Sequence, residues 1–160
     1  MPSIRRAHPR DADQIARLAA DAAKEEGVIS ALESDRIRAH AFSSNPLIEI
    51  WVAEERKPRP VIVGHAAITK HYDFRRAQPL VSICELYVCP EHRRGGLARR
   101  LMSAIAGRAM ELGARDLTIT TGVGNAAAER FFSSVGARAD DSVVYVMAHD
   151  GVQWLATEGL

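Results

Sequence analysis

The order of apolar and polar positions divides the chain into short helices and strands. Ile4 to Ala7 predicts a first strand, with a turn at His8-Pro9-Arg10. Asp11 reads as a helix N-cap, with Gln14 three residues on to complete a capping box. Ile15, Leu18, Ala19 and Ala22 then recur at helical spacing, and Gly27 stops the helix. Ser30 with Glu33 predicts a second capping box, opening a helix to about Phe42 that Asn45-Pro46 ends. Leu47 to Glu54, Val61 to Tyr72 and Leu80 to Val88 read as consecutive antiparallel strands. The turns between them fall at Lys57-Pro58-Arg59-Pro60 and around Arg75 to Pro79.

The second half changes character. Leu97, Leu101, Ile105, Ala109 and Leu112 lie on one face of a long amphipathic helix closed by Gly113. A strand from Arg115 to Thr121 follows. Ala128, Phe131, Phe132 and Val135 mark a further helix ended by Gly136, and Val143 to Met147 predicts a last strand. The tail from Asp150 to Leu160 has no clear period. The order β-α-α-β-β-β-α-β-α-β predicts a mixed α/β domain with one central sheet.

Composition narrows the function classes. At 160 residues the chain is the length of one domain. Lysine and arginine number 21 against 20 aspartates and glutamates, a net charge of +1. That balance, with 6% aromatics, argues against a nucleic-acid module. No apolar run is long enough for a membrane span, and the first ten residues do not read as a signal peptide. The expectation is a cytoplasmic protein. Cys84 and Cys89, five residues apart on an extended stretch, are too far apart to pair and are expected reduced. The six histidines show no metal-ligand spacing, so no metal is expected.

The chemistry concentrates at Glu85-Leu86-Tyr87-Val88-Cys89-Pro90-Glu91-His92-Arg93-Arg94-Gly95-Gly96-Leu97-Ala98. A strand runs into a glycine-rich turn that opens a helix. Unpaired N–H groups at a helix start attract anions, glycines let a ligand approach, and Arg93, Arg94, Arg99 and Arg100 add positive charge. No Gly-Lys-Ser/Thr follows, and G-x-G-x-x-G is absent, so neither a Walker A loop nor a dinucleotide fingerprint is present. Cys84 reads as a buried structural cysteine, because neighbouring strand residues point to opposite faces and Glu85 would be turned away from it. Asp73, in the loop before this strand, is a candidate contact for a cationic amine.

Arg93-x-x-Gly96-x-Ala98 and then Asn125-x-x-Ala128-x-x-x-Phe132-x-x-x-Gly136, with a helix and a strand between them, resemble the GNAT superfamily of N-acetyltransferases. The resemblance is close over about Ile83 to Met147 and looser before it. It implies a mostly antiparallel sheet flanked by helices and splayed between the fourth and fifth strands. It also implies acetyl-CoA as acyl donor, with its pyrophosphate on Arg93, Arg94, Gly95, Gly96, Leu97 and Ala98. The pantetheine would run along Leu86, Tyr87 and Val88, with the Val88 N–H holding the oxyanion and Asn125 and Phe132 beside the cofactor.

In that frame Glu85 is the candidate base for the acceptor amine. Many members carry a tyrosine where this chain has Phe132, which cannot donate a proton. Tyr145 is a candidate replacement acid, Tyr87 is another, and an unassisted thiolate is the third option. The expected function is acetylation of a small-molecule primary amine by direct attack in a ternary complex, with no nucleic acid or membrane partner. A homodimer is a candidate assembly. A protein lysine or N-terminal acetyltransferase and a non-catalytic acyl-CoA sensor are the rival readings.

Overall fold

The structure, a computed structural model, describes residues 1–56 and 58–157. Lys57 in the expected turn and the last three residues of the tail lie outside the described residues. Among the described residues five strands form one sheet in sequential order: β1 (Ser3–Arg6), β2 (Ile48–Glu55), β3 (Val61–Asp73), β4 (Gln78–Val88) and β5 (Leu117–Ile119). The first three pairings are antiparallel and β4–β5 is parallel. The helices are α1 (Ala12–Glu25), α2 (Ser34–Ala41), α3 (Leu97–Glu111), α4 (Ala126–Ser134) and α5 (His149–Thr157). The chain divides into two compact units, Met1–Gly122 and Val123–Leu160.

In the first unit, strand alternation assigns the two faces of the sheet. Ile15, Leu18 and Ala22 of α1 and Ile37 of α2 share a core with Ile50, Val52, Ala67 and Tyr87. Each fully buried Leu or Ile there contributes about 1.5–3 kcal/mol. On the other face, α3 buries Leu97, Leu101, Ile105 and Ala109. Its Arg108 holds the buried Glu49 of β2 through two hydrogen bonds of 2.9 and 3.0 Å. Arg6 and Lys70 add ion pairs to the same carboxylate, so this buried charge is fully compensated.

Two expected capping boxes do not form, because other partners win. The Asp11 carboxylate takes the Arg5 guanidinium at 2.7 and 3.0 Å and the His8 N–H at 2.7 Å. Gln14 instead accepts from the Ile62 N–H of β3. Further on, Ser30 bonds the Leu32 N–H locally, and α2 starts at Ser34 with Glu33 before it. The α3 stop at Gly113 is as expected, with φ of +75°.

The sheet has one irregularity that matters for the site. Ala67 pairs with Glu85 and Ile68 with Ile83, so Cys84 is an extra residue, a β-bulge.

In the second unit, the expected strand from Val143 to Met147 does not form. The run is exposed, with Tyr145 at 92%, and it has no strand pairing among the described residues. Its β-branched residues favour extended backbone, but a strand needs a partner edge. The described part of the tail that showed no clear period is helical, as α5, to Thr157.

Candidate functional site

The glycine-rich turn begins where β4 ends. Pro90–His92 form one 3-10 turn, Arg93 is extended, and Arg94 and Gly96 take φ of +63° and +76°. Gly96 is the N-cap of α3, and no side chain caps it. The first intrahelical bond runs from the Arg100 N–H to the Gly96 carbonyl. The amides of Leu97 and Ala98 therefore lack helical acceptors and lie at the positive end of a 15-residue helix. A Cβ on Gly96 would meet nothing within 4 Å, and one on Gly95 only the His92 carbonyl at 3.9 Å. The turn thus combines donors with open room, which fits a pyrophosphate.

Not all the nearby arginines are available to such an anion. Arg93 donates from Nε to the Val88 carbonyl at 2.8 Å and from Nη2 to both oxygens of Glu25 at 2.8 and 2.9 Å. Arg100 donates to the Pro2 carbonyl. Both were expected to lend charge to the turn, yet both are committed to backbone or carboxylate acceptors.

The edge of β4 has a defined polarity. Cys89 N–H donates to Val63 O at 2.9 Å, which makes Gly64–Val88 a non-hydrogen-bonded antiparallel pair. The Val88 N–H and C=O therefore face away from β3, as do those of Leu86, while Tyr87 bonds its partner His65. On that outer side, β5 pairs only with Val81, Ser82 and Ile83. Beyond Ile83, β4 has no neighbour there among the described residues, which is the splay. The Leu86 carbonyl and the Val88 N–H face it, while the Val88 carbonyl is taken by Arg93 Nε; Tyr87 presents neither group.

The bulge changes what shares a face with Glu85. Cys84 Sγ lies 3.6 Å from Thr69 Oγ1, and Thr69 alternates with Ala67, the partner of Glu85. Cys84 and Glu85 therefore occupy the same face, and Cys84 is exposed, not buried. Ser82 and Thr118 are hydrogen-bonded on this face. The sequence did carry a signal for the bulge: the apolar series Val81, Ile83, Leu86, Val88 slips by one residue at Cys84.

Glu85 is half-buried, and desolvation together with Glu26 pushes its carboxyl above the ordinary range. That direction suits a proton acceptor working near neutral pH. The Tyr87 ring is buried and its hydroxyl donates to Glu25 at 3.0 Å. Burial and that bond push it up to about 12, which leaves its proton committed to Glu25. Asp73 accepts from the Arg75 and Arg76 N–H groups and the Arg76 guanidinium, so it builds the β3–β4 turn.

Within the second unit, Asn125 caps α4 by accepting from the Ala128 N–H at 3.1 Å. Phe132 is half-buried and packs edge-on against Phe131. Among the described residues no group of His, Cys, Asp or Glu could hold a metal ion, and no helix is long and apolar enough to cross a membrane.

Comparison with known proteins bears on the fold. Among solved structures, an integron cassette protein from the mobile metagenome of V. cholerae is 18% identical, covering 98% of both chains with a TM-score of 0.80. A ribosomal-protein-alanine N-acetyltransferase from Brucella melitensis biovar Abortus 2308 is 21% identical over 91% of this chain and 99% of that one, with a TM-score of 0.73. An aminoglycoside acetyltransferase from an uncultured soil metagenomic sample, in complex with sisomicin, is 22% identical over 92% and 95%, with a TM-score of 0.73. At these identities the likeness is one of fold. A search of curated proteins finds no match. The model of the acetyltransferase (GNAT) family matches residues 12–137, which include the β4 edge, the glycine-rich turn and α4, and the chain belongs to that family.

Proposed function

We propose that the chain is an acyl-CoA-dependent N-acetyltransferase that acetylates the primary amine of a small molecule, by direct attack in a ternary complex. The observation that carries this most is the polarity of the β4 edge. The Val88 N–H faces the splay, on the same stretch of chain that ends in the uncapped start of α3. One ligand with a carbonyl at one end and a pyrophosphate further along matches both groups of donors.

Acetyl-CoA supplies the activated acetyl group. In this reading the amides from Arg94 to Ala98 hold its pyrophosphate, and Arg93 acts by shaping the turn. The Leu86 carbonyl accepts from one of its amides, by strand addition. The Val88 N–H donates to the acyl oxygen as negative charge gathers there. Glu85 takes the proton from the amine as its nitrogen bonds the acyl carbon. The carbon–sulfur bond breaks, and its electron pair leaves on sulfur. A thiol of pKa about 8.5 is a tolerable leaving group. Tyr145 is the candidate proton donor to that sulfur, while Asn125 and Phe132 flank the cofactor.

The two named neighbours are, by name, a ribosomal-protein-alanine and an aminoglycoside acetyltransferase. Glu26, just beyond the end of α1 and felt by Glu85, favours a cationic small amine. The reading takes residues 1–160 as one domain at work in the cytoplasm. The free Cys84 and Cys89 suit that compartment. A homodimer goes with it, for which the exposed run from Val143 to Met147 offers apolar surface.

The test is calorimetry with acetyl-CoA, then thiol release with polyamines, aminoglycosides and alanine-terminated peptides. Glu85→Gln is expected to lower turnover about 100-fold or more while CoA binding persists. Turnover on peptides alone would move the acceptor to proteins. Binding without turnover on any acceptor would make the chain a sensor, and absence of binding would overturn the cosubstrate itself.

A further inference from the structure

Glu25 ends α1, and nothing in its local sequence marks it out. Its carboxylate nevertheless gathers two side chains, Tyr87 and Arg93, that lie 62 and 68 residues further along the chain. Arg93 Nη2 donates to Oε1 and Oε2 at 2.8 and 2.9 Å, and the Tyr87 hydroxyl donates to Oε1 at 3.0 Å. The same guanidinium donates from Nε to the Val88 carbonyl and lies 5.4 Å from the centre of the Tyr87 ring. Arg93 thus closes a loop from the end of β4, through the 3-10 turn, back to β4. The Arg93 backbone N–H is committed as well, to the Pro90 carbonyl.

A lone ion pair this exposed (42% and 43%) would stabilise little. This one is a closed network in which Arg93 Nη2 spans both carboxylate oxygens while Nε holds the Val88 carbonyl, so its hub has defined geometry. Its placement is also informative. A carboxylate facing the first residue of an anion-binding turn opposes phosphate by charge. By geometry it does the reverse, since it fixes the side chain that fixes the turn.

We propose that Glu25 is a positioning residue: through Arg93 it holds the glycine-rich turn in the conformation that presents its amides to the acyl-CoA pyrophosphate. This rests on the acyl-CoA reading above. It also joins the last turn of α1, next to Glu26 and Glu85, to the grip on the acyl donor.

Charge and geometry predict opposite signs, and so the test is sharp. The variants are Glu25→Ala and Glu25→Gln, the second keeping an acceptor for Tyr87. Two readouts apply: calorimetry with CoA alone, and amide hydrogen exchange by NMR without ligand. The His92 and Arg93 amides, both hydrogen-bonded in the turn, are expected to exchange about tenfold faster in Glu25→Ala. Amides from Leu101 to Ile105 in α3 should keep wild-type rates. CoA affinity is expected to fall about fivefold in Glu25→Ala and less in Glu25→Gln, the scale of one charged hydrogen-bond network. Unchanged exchange in the turn would overturn the proposal, as would unchanged or tighter CoA binding. Failure of the wild type to bind CoA would instead overturn the proposed function, and is recognised because it needs no variant.

Discussion

His65 makes the stability of this fold sensitive to mild acid. It lies on β3 between Val52 and Tyr87, 2% exposed, and its Nδ1 has no hydrogen-bond partner. Burial alone pushes its pKa down to about 4. In the unfolded chain the ring titrates near 6.5, so the unfolded state binds more protons between those values. Stability is therefore whole above about pH 6.5 and is lost as pH falls toward 4. The full difference corresponds to about 3 kcal/mol, of which about 2 kcal/mol is lost between pH 7 and pH 5. The carboxylates held low by their partners, Asp11, Glu49 and Glu54, shed their contribution only at lower pH. Glu85, held high, acts in the opposite direction. Comparison with His65→Leu cancels all four. Urea unfolding of both proteins at pH 7, 6 and 5 should show the wild type losing about 2 kcal/mol more than the variant. Parallel losses in the two proteins would mean that the ring is hydrated or partnered, and the argument from burial would fail.

Three further outcomes are expected. With Glu85 as base, the rate should rise with pH through a value above the ordinary carboxylate range, and this limb should vanish in Glu85→Gln with CoA affinity kept. A thiol reagent should label exposed Cys84 before Cys89, whose thiol is half-buried and pushed up by burial, as read by peptide mass; the adduct should block acceptor turnover but not CoA binding. In Gly64→Ala the new Cβ would meet the Tyr87 carbonyl oxygen at 2.9 Å and Val88 Cγ2 at 3.3 Å. That carbonyl shares its peptide with the Val88 N–H, so acetyl transfer should fall about tenfold or more, at a stability cost of about 1–3 kcal/mol by urea melt.

What the sequence made legible was local. The β2–β3 and β3–β4 hairpins, the helical faces of α1 and α3, and the turn from Arg93 to Ala98 each depend on residues a few positions apart. What it hid depended on partners far along the chain. Asp11 has a cap's chemistry, but Arg5 claims its carboxylate. Arg93 looks like a phosphate ligand until Glu25, 68 residues away, takes its Nη2. Val143 to Met147 has strand composition, yet a strand is a relation between two edges, and composition describes only one. The Cys84 bulge lay between these cases: its phase slip was visible, but strict alternation put the cysteine on the wrong side.

The contrast between the long antiparallel pairings and the brief parallel one bears on how the chain folds. β2, β3 and β4 meet through short turns, so their contacts form at little loop-closure cost. β5 can join β4 at its three paired positions only after all of α3 has been threaded across the sheet. The seam at Val81 to Ile83, at the foot of the splay, therefore closes late in folding and is held by few bonds. A molecule lodged there would act as a wedge and a splint together, keeping the strands apart while tying down the segment that folds last.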